Sequence, residues 1–369
     1  METIGLSSEE KLVILLSRLT FSTDDVREVI ELIQKPIESY TFLNYLTKNK
    51  VVGLAYANLK KLGVLQHVPL QINQLMKYYY IGNQTRNKLY QEELQKILLA
   101  FHAKKVPCFP LKGALLLSEL YLESGTRSIN DIDLLIQLKD SKEITDIMTS
   151  LGYLQGNYDY STGQLQEHSR EKNVSWKMNM NTLPTFVKLS DSKEVEFFMV
   201  DFSFSLNLDK HIEPVDEMIM QAQEGKLLAE HFLVHLCCHL YKEATGAIWI
   251  YTDCDMNTIK FCDVREYILI QMDTTTLIRA VEFANYFGLQ HPLYFTFYYL
   301  QMLYNDGYEE ALMNKLDIKE SEFVHSPSSV HSTEHYRWKK SFWKRLFAFS
   351  NKEELGEKFK QNYKNFSEF

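Results

Sequence analysis

The hydrophobic period of the chain changes at Val106, and this change limits the possible folds more strongly than any other feature. From about 71 to 105, apolar residues recur at steps of three and four, which predicts one or two long amphipathic helices. After Val106 come the apolar run VPCFPL, Lys112-Gly113, the helix-forming run ALLLSELYL, a glycine-containing turn and the apolar run DIDLLIQL. This order predicts a strand, a helix and a second strand.

Signals for helix starts and stops lie on both sides of this segment. SSEEKLVILLSRL and STDDVREVIELIQ each begin with Ser and carry acids in the first turn. DTTTLIRAVEFANYFG begins with Asp and stops at Gly288, and SKEITDIMTSLGY stops at Gly152, where glycine suits a helix C-terminus. We therefore predict helices before and after the strands.

The predicted elements define an α+β fold with three regions. A small mixed β-sheet core is expected at 106–222, although 155–190 is polar and has no clear period before EVEFFMVDFSFSL resumes a β-rich pattern. An N-terminal helical region at 1–105 and a C-terminal helical region at 223–369, with a basic aromatic tail, are expected to flank the core.

Two aspartates open the second strand and suggest a metal site. Residues two apart on a strand face the same way, so Asp131 and Asp133 are expected on one face. Two unit charges about 4 Å apart repel by about 4 kcal/mol at an effective dielectric of about 20, so the pair needs a compensating cation, an arginine or solvent. Carboxylate oxygens are suitable ligands for Mg²⁺ or Mn²⁺, so a metal site is one interpretation of the pair. The alternative interpretation is a solvated edge strand.

Three further residues and a third acid extend this candidate site. Lys112 and Gly113 lie where a strand turns into a helix, a place where exposed N–H groups favour phosphate and glycine allows close approach. Arg127 is a candidate for a phosphate contact or for compensation of the carboxylates. Asp201 is the one acid among apolar neighbours on its strand face, and it is predicted to complete the metal site.

These residues resemble the nucleotidyltransferase superfamily with the DNA polymerase beta-like core, and more closely an uncharacterised bacterial nucleotidyltransferase family. The resemblance is carried by an ordered set of residues: Leu111, Lys112, Gly113, Leu120, Tyr121, Arg127, Asp131, Ile132, Asp133, Leu134 and Leu135. It is strongest over 106–152. Two departures are present: Lys-Gly replaces the Gly-Ser of the superfamily, and Ser203 stands where the closer family tends to have histidine.

The resemblance implies an enzyme that transfers a nucleoside monophosphate from a nucleoside triphosphate, with ATP as the expected donor, to an unidentified small-molecule, peptide or protein acceptor. The helix containing HLCCHLYKE and the segment FCDVREY match later family motifs. His239, Lys242 and Asp263 are therefore expected at the acceptor or in the active-site wall. The alternative is a non-catalytic protein on the same core that senses nucleotide or holds a partner.

Two other patterns have competing interpretations. His231, His235 and His239 recur at four-residue steps, which is compatible with zinc, but no Cys or carboxylate partner is clearly placed, so packing or a site wall is the alternative. YRWKKSFWKRLF, at 336–347, is compatible with contact to an anionic surface, RNA or an acidic partner, or with a helix docked by its aromatic face.

Charge and cysteine usage limit the setting. A net charge of -8 argues against general nucleic-acid binding, which needs a broad basic surface. Modification of nucleic-acid ends is a further possibility, but it would need a local basic track. The start of the chain lacks the pattern of a secretory signal, and no apolar run is long enough for a transmembrane segment. Five cysteines form an odd set that favours reduced thiols, so a cytoplasmic protein is expected.

Overall fold

The computed structural model describes residues 5–327 and 337–356. The helices are α1 Ser8–Leu16, α2 Thr23–Ile33, α3 Ser39–Lys48, α4 Val52–Lys61, α5 Leu70–Lys104, α6 Lys112–Glu119, α7 Ser141–Ser150, α8 Arg170–Asn179, α9 Glu213–Met220, α10 Ala229–Thr245, α11 Ala247–Tyr251, α12 Thr258–Gln271, α13 Thr274–Tyr286, α14 Gln290–Leu303, α15 Glu309–Met313 and α16 Phe342–Phe347. The strands are β1 Phe109–Pro110, β2 Ile132–Leu135, β3 Leu154–Asp159, β4 Gln164–Glu167, β5 Phe186–Leu189 and β6 Phe197–Ser203. Short 3-10 turns lie at Leu65–His67, Leu138–Asp140, Glu322–His325 and Lys352–Glu354. The predicted α+β class is confirmed.

The chain forms two compact units. The helical unit comprises Met1–Tyr80 with Leu233–Phe369, and the sheet unit comprises Ile81–Phe232. The chain passes between the units inside α5 and inside α10. The three-region division expected from sequence, with boundaries after 105 and after 222, stays a prediction about domain organisation.

The start signals of the helical unit form the caps that the sequence predicts. Ser7 accepts a hydrogen bond from the backbone of Glu10, whose side chain accepts one from the Ser7 backbone, and Ser22 and Asp25 repeat this capping box at α2. At α13 the Asp273 side chain accepts a hydrogen bond from the Thr276 backbone N–H, and Gly288 follows that helix with a φ of 71°. These local bonds fix where the helices begin and end.

The sheet unit contains one six-stranded mixed sheet, in the order β1-β2-β6-β5-β3-β4. The neighbouring strands β2 and β6 run parallel, and the other neighbouring pairs are antiparallel. Phe202 on β6 stacks on Phe101 near the end of α5 and meets Phe186 on β5 edge-on. This aromatic packing buries Phe202 and Phe186 of β6 and β5, and all four residues of the adjacent β2 are also buried.

The polar segment 155–190 contains more structure than its sequence pattern indicates. It contributes β4, α8, β5 and most of β3. The reason is exposure: β4 has no buried residue, and α8 has none either, so neither shows the apolar period by which an element is recognised.

The basic aromatic tail is partly described, since Tyr336 lies outside the described residues. From the expected helix at 336–347 the structure forms α16, whose Phe342, Leu346 and Phe347 are buried in the helical unit. Phe342 stacks on Tyr299 with ring centroids 4.2 Å apart. The aromatic face of this helix is therefore used for packing within its own unit.

None of the helices in the described ranges combines the length and the apolar character that a bilayer crossing needs. The five cysteines, all within the described residues, are present as thiols, and three of them, Cys237, Cys238 and Cys262, are buried.

Candidate active site

The register of β2 and β6 brings the three predicted acids together. The two strands pair in parallel, with Asp133 directly opposite Asp201, and Asp131 immediately precedes β2. One carboxylate oxygen of each aspartate lies within 4.8 Å of the other two. Asp133 is buried, while Asp131 and Asp201 are half-buried. Residues nearly seventy positions apart in sequence thus form one cluster of oxygen ligands.

Lys112 lies against this cluster in an unusual backbone conformation. The Leu111 N–H donates to the Asp133 carbonyl at 2.9 Å, so the chain enters α6 directly beside β2. Lys112, the first residue of α6, has a φ of 44°, a left-handed value that costs a residue other than glycine about 1–2 kcal/mol. Its Nζ donates to Asp133 Oδ1 at 2.7 Å. The lysine predicted to contact phosphate is therefore paired with a carboxylate here.

The surroundings of Asp133 change the pKa of its carboxyl group. Burial raises the pKa of Asp133 to about 7, because a charged carboxylate loses its hydration in the core. The ammonium of Lys112 opposes this increase in the pKa, and the negative charges of Asp131 and Asp201 add to it. A cation held by all three acids would remove the repulsion among them, so the ligands fit a divalent metal ion.

Gly113 makes room for Arg127. A methyl group added at Gly113 would collide with the Arg127 guanidinium and with the Ile129 side chain. Arg127 also lies 5.9 Å from the centroid of the Tyr121 ring, measured from its guanidinium carbon. The sequence suggested that this glycine allows phosphate to approach; the structure gives it the additional task of admitting an arginine beside the start of α6.

Thr185 holds Asp201 and was not found from the sequence. Its hydroxyl donates to Asp201 Oδ1 at 2.7 Å. Thr185 precedes β5, which pairs with β6, so an adjacent strand fixes the orientation of the carboxylate. A threonine in a segment without a clear period carries no sequence signal for this contact.

A ladder of polar side chains on α5 holds the loop that leads to Asp131. Asn83 Nδ2 donates to the Gly125 carbonyl at 3.2 Å, and the fully buried Asn87 donates to the carbonyls of Ser124 and Arg127 at 2.5 and 2.6 Å.

Farther along the same face of α5, Arg86 Nε donates to the Ile129 carbonyl at 2.8 Å, and the Tyr90 hydroxyl donates to the Asn130 carbonyl at 2.8 Å. These donors occupy one helix face at three- and four-residue steps and fix the backbone from 124 to 130. In the sequence they are indistinguishable from a solvated polar stripe.

The three residues predicted for the acceptor lie in the helical unit. His239 Nε2 and Glu243 Oε1 are 3.4 Å apart, and Lys260 forms an ion pair with the same glutamate. Lys242 Nζ lies 5.4 Å from the centroid of the Trp249 ring, and Asp263 is buried in α12. Their assignment to an acceptor site stays a prediction.

The histidine stripe behaves differently from the aspartates. The rings of His235 and His239 are nearly parallel, with centroids 6.3 Å apart, and burial lowers the pKa of His231. In the part of the chain that the structure describes, the group of ligand atoms close enough to share a metal ion is Asp131, Asp133 and Asp201. The zinc interpretation of the stripe gains no support from this geometry.

The site defines a class of protein. Carboxylates gathered on two adjacent parallel strands, beside a helix start that carries lysine and glycine, suit metal-dependent transfer of a phosphate-containing group. A family model described as an uncharacterised nucleotidyltransferase matches residues 35–305, and the chain belongs to this family. It is therefore an enzyme of the transferase class, and the resemblance noted from its motifs is confirmed. Neither the curated proteins nor the solved structures contain a match to this chain.

Proposed function

We propose that this nucleotidyltransferase uses Mg²⁺ or Mn²⁺ to transfer AMP from ATP to an acceptor that is a small molecule, a peptide or a protein. The observation that carries the proposal is the convergence of Asp131, Asp133 and Asp201 within 4.8 Å, from two strands whose register sets Asp133 opposite Asp201. ATP is proposed as the donor because of its abundance in cells.

The three aspartates would hold the metal. When bound, the ion would neutralise charge on the reacting phosphate and position the donor. The chain's own part in the reaction is to place the groups that exchange bonds. A hydroxyl oxygen of the acceptor forms a bond to the α-phosphorus, the bond from that phosphorus to the bridging oxygen breaks, and pyrophosphate leaves. Asp201, oriented by Thr185, is proposed to take the hydroxyl proton.

Two cationic side chains support the proposed handling of the triphosphate. Lys112 at the start of α6 pairs with Asp133, and the Arg127 guanidinium lies against the neighbouring Gly113. Arginine can pair with phosphate through two parallel hydrogen bonds, whereas lysine acts as a mobile point charge. Both are therefore proposed to contact the donor phosphates.

The direct test follows label from the donor. The protein would be incubated with ATP labelled at the α-phosphate, Mg²⁺ or Mn²⁺ and a cell extract, and label transfer and pyrophosphate would be measured. Asp131→Ala/Asp133→Ala should abolish both signals, while Asp146→Ala, which removes an exposed acid of α7, should retain them. ATP labelled at the γ-phosphate separates nucleotidyl transfer from phosphoryl transfer, since its label should leave with pyrophosphate.

The result that would contradict the proposal is equally specific. If the wild type binds nucleotide but shows no metal-dependent pyrophosphate release or label transfer above the level of the double variant, the non-catalytic alternative is favoured. The same assay with GTP, CTP and UTP tests the choice of ATP separately from the reaction.

A further inference from the structure

The pairing of Lys112 with Asp133 has a consequence for how metal and nucleotide bind. The side chains of Lys112 and Asp133 are 19% and 7% exposed, so the pair is largely removed from water. A buried carboxylate without a counter-charge is strongly unfavourable, and this ammonium supplies one at 2.7 Å. The Lys112 ammonium thus compensates the negative charge of Asp133, which is the role that a metal ion bound to Asp133 would also have.

The backbone shows that this placement is built into the fold. The hydrogen bond from Leu111 N to the Asp133 carbonyl fixes the residue before Lys112 against β2. Lys112 then adopts the left-handed φ of 44° at the first position of α6. Non-glycine residues held in this region are often part of a functional device, and here the observed outlier carries the side chain that reaches the acid cluster.

We propose that Lys112 is an exchangeable counter-ion: it pairs with Asp133 in the metal-free protein, is displaced when a divalent cation binds the three aspartates, and then pairs with the triphosphate of the donor. This inference rests on the proposed function and adds an order of charge exchange to it. The four-carbon stem of lysine allows such a movement, whereas a planar, bidentate arginine would resist it.

Displacement couples the two ligands. Metal binding without nucleotide leaves the Lys112 ammonium close to a divalent ion and without its carboxylate, which weakens metal affinity. A bound triphosphate gives the ammonium a new partner, so each ligand strengthens binding of the other, and the coupling is reciprocal. The protein would therefore hold metal weakly until nucleotide arrives.

Lys112→Met tests this by the direction of its effect. Binding of Mn²⁺ alone, measured by electron paramagnetic resonance, should become about tenfold tighter, because the competing charge is gone. Binding of the α,β-methylene analogue of ATP at saturating Mn²⁺ should become about tenfold weaker, because the phosphate partner is gone. A mere loss of folding would weaken both.

Lys105→Met is the matched control. Lys105 is an exposed lysine of the same unit that also has a left-handed backbone, with a φ of 57°, so its replacement repeats the change in charge and in conformational preference away from the acids. It should alter neither affinity. Unchanged or weaker Mn²⁺ binding by Lys112→Met would overturn the inference.

A measurement on the wild type avoids any folding defect of the variant. Acetylation of the Lys112 amine by acetic anhydride, followed by mass spectrometry, should be slow in EDTA, faster with Mn²⁺ and slow again with Mn²⁺ and the analogue. Lys105 serves as the internal reference. Acetylation of Lys112 that does not respond to Mn²⁺ would contradict displacement.

The two proposals fail in different ways. Mn²⁺ binding to the wild type that is lost in Asp131→Asn establishes the metal site on which the inference depends. Absence of Mn²⁺ binding at the aspartates even with the ATP analogue present would overturn both the metal-dependent function and the inference. Binding at the aspartates without tightening in Lys112→Met would overturn the inference alone.

Discussion

Each unit of the molecule has a cation paired with acids, buried in the helical unit and half-buried in the sheet unit, and the two arrangements differ. In the helical unit, Arg265 donates from Nε and Nη2 to both oxygens of Asp306 at 2.6 and 2.7 Å, and from Nη1 to the Thr20 carbonyl at 3.1 Å. In the sheet unit, Lys112 pairs with one acid of a three-acid cluster. The first arrangement fixes a planar cation in several directions, while the second leaves a flexible cation beside ligands that a metal can use. A buried ion pair therefore indicates structure or function according to its geometry.

The surrounding charges reinforce this difference. Burial disfavours the charged form of Arg265, yet Asp306 and Glu266 hold the pKa of its guanidinium above the ordinary value. Around Asp133 the balance is reversed, since burial and two neighbouring acids together outweigh Lys112 and raise the pKa of the carboxyl to about 7. The charge of Arg265 is therefore compensated by the acids around it, whereas the charge of Asp133 is compensated only in part.

Removing the guanidinium should have the largest effect on folding. Arg265→Met leaves the fully buried Glu266, and the partly exposed carboxylate of Asp306, without their cation, which should lower the free energy of unfolding by about 3–5 kcal/mol. Urea denaturation measures this change. Arg27→Met is the control, because Arg27 forms an exposed pair with Asp24 at 3.1 Å and should cost at most about 1 kcal/mol. Equal losses in the two variants would remove the contrast between a buried and an exposed pair.

Asp133→Asn should give the opposite pattern. Transfer activity should fall by at least about 100-fold, because even groups that only support a metal ligand typically contribute 10–100-fold. The metal-free variant should be no less stable than the wild type, since a neutral amide removes repulsion from Asp131 and Asp201. Activity and urea denaturation in EDTA, measured on the same preparation, test this. A loss of stability as large as that of Arg265→Met would make Asp133 a structural residue.

Gly113→Ala should show how far activity depends on the position of Arg127 when the three acids are unchanged. The added methyl group would displace the Arg127 guanidinium and press on Ile129, so activity should fall by about 10–100-fold, within the range for misplaced positioning groups. Mn²⁺ binding at the three aspartates should change much less. Gly82→Ala is the control, because a methyl group there meets no atom within 4 Å and should leave activity unaltered.

The pH dependence of stability provides the finest comparison. The folded-state pKa of Asp133 lies above its unfolded value, so its contribution to stability is fully present at low pH and is lost as pH rises through about 7. In EDTA, the wild type should lose at least about 1 kcal/mol of unfolding free energy between pH 5 and pH 8 from this group, the equivalent of one pKa unit. The loss should be smaller in Asp133→Asn. The same pH slope in the two proteins would contradict the raised pKa of Asp133.

The part of the site that sequence predicts is the part carried by short spacings. Asp131 and Asp133 are two residues apart before a buried strand, and the Lys112-Gly113 turn lies between two predicted elements, so local pattern alone places them. Asp201 required the additional alternation of β6 and the resemblance to a family. The register that sets it opposite Asp133 is a long-range pairing that no local pattern contains.

The supporting residues could not be predicted for a physical reason. Asn83, Asn87 and Tyr90 donate to backbone carbonyls of a distant loop, and polar residues at these steps are equally typical of a helix face in water. The network around Arg265 was also missed, while its neighbour Asp263 was selected through the family motif. Hydrogen bonds between segments far apart in sequence leave no periodic signal.

The parallel pairing of β2 and β6 has a consequence for how this enzyme tolerates insertions. The whole segment from 136 to 196 joins two adjacent strands, so residues can be gained or lost in its exposed turns without altering the distance between the acids. One residue inserted within β6 before Asp201 would instead turn that side chain to the opposite face of the sheet. Insertions and deletions among relatives should therefore lie between the two strands and be absent from β6, which begins at Phe197.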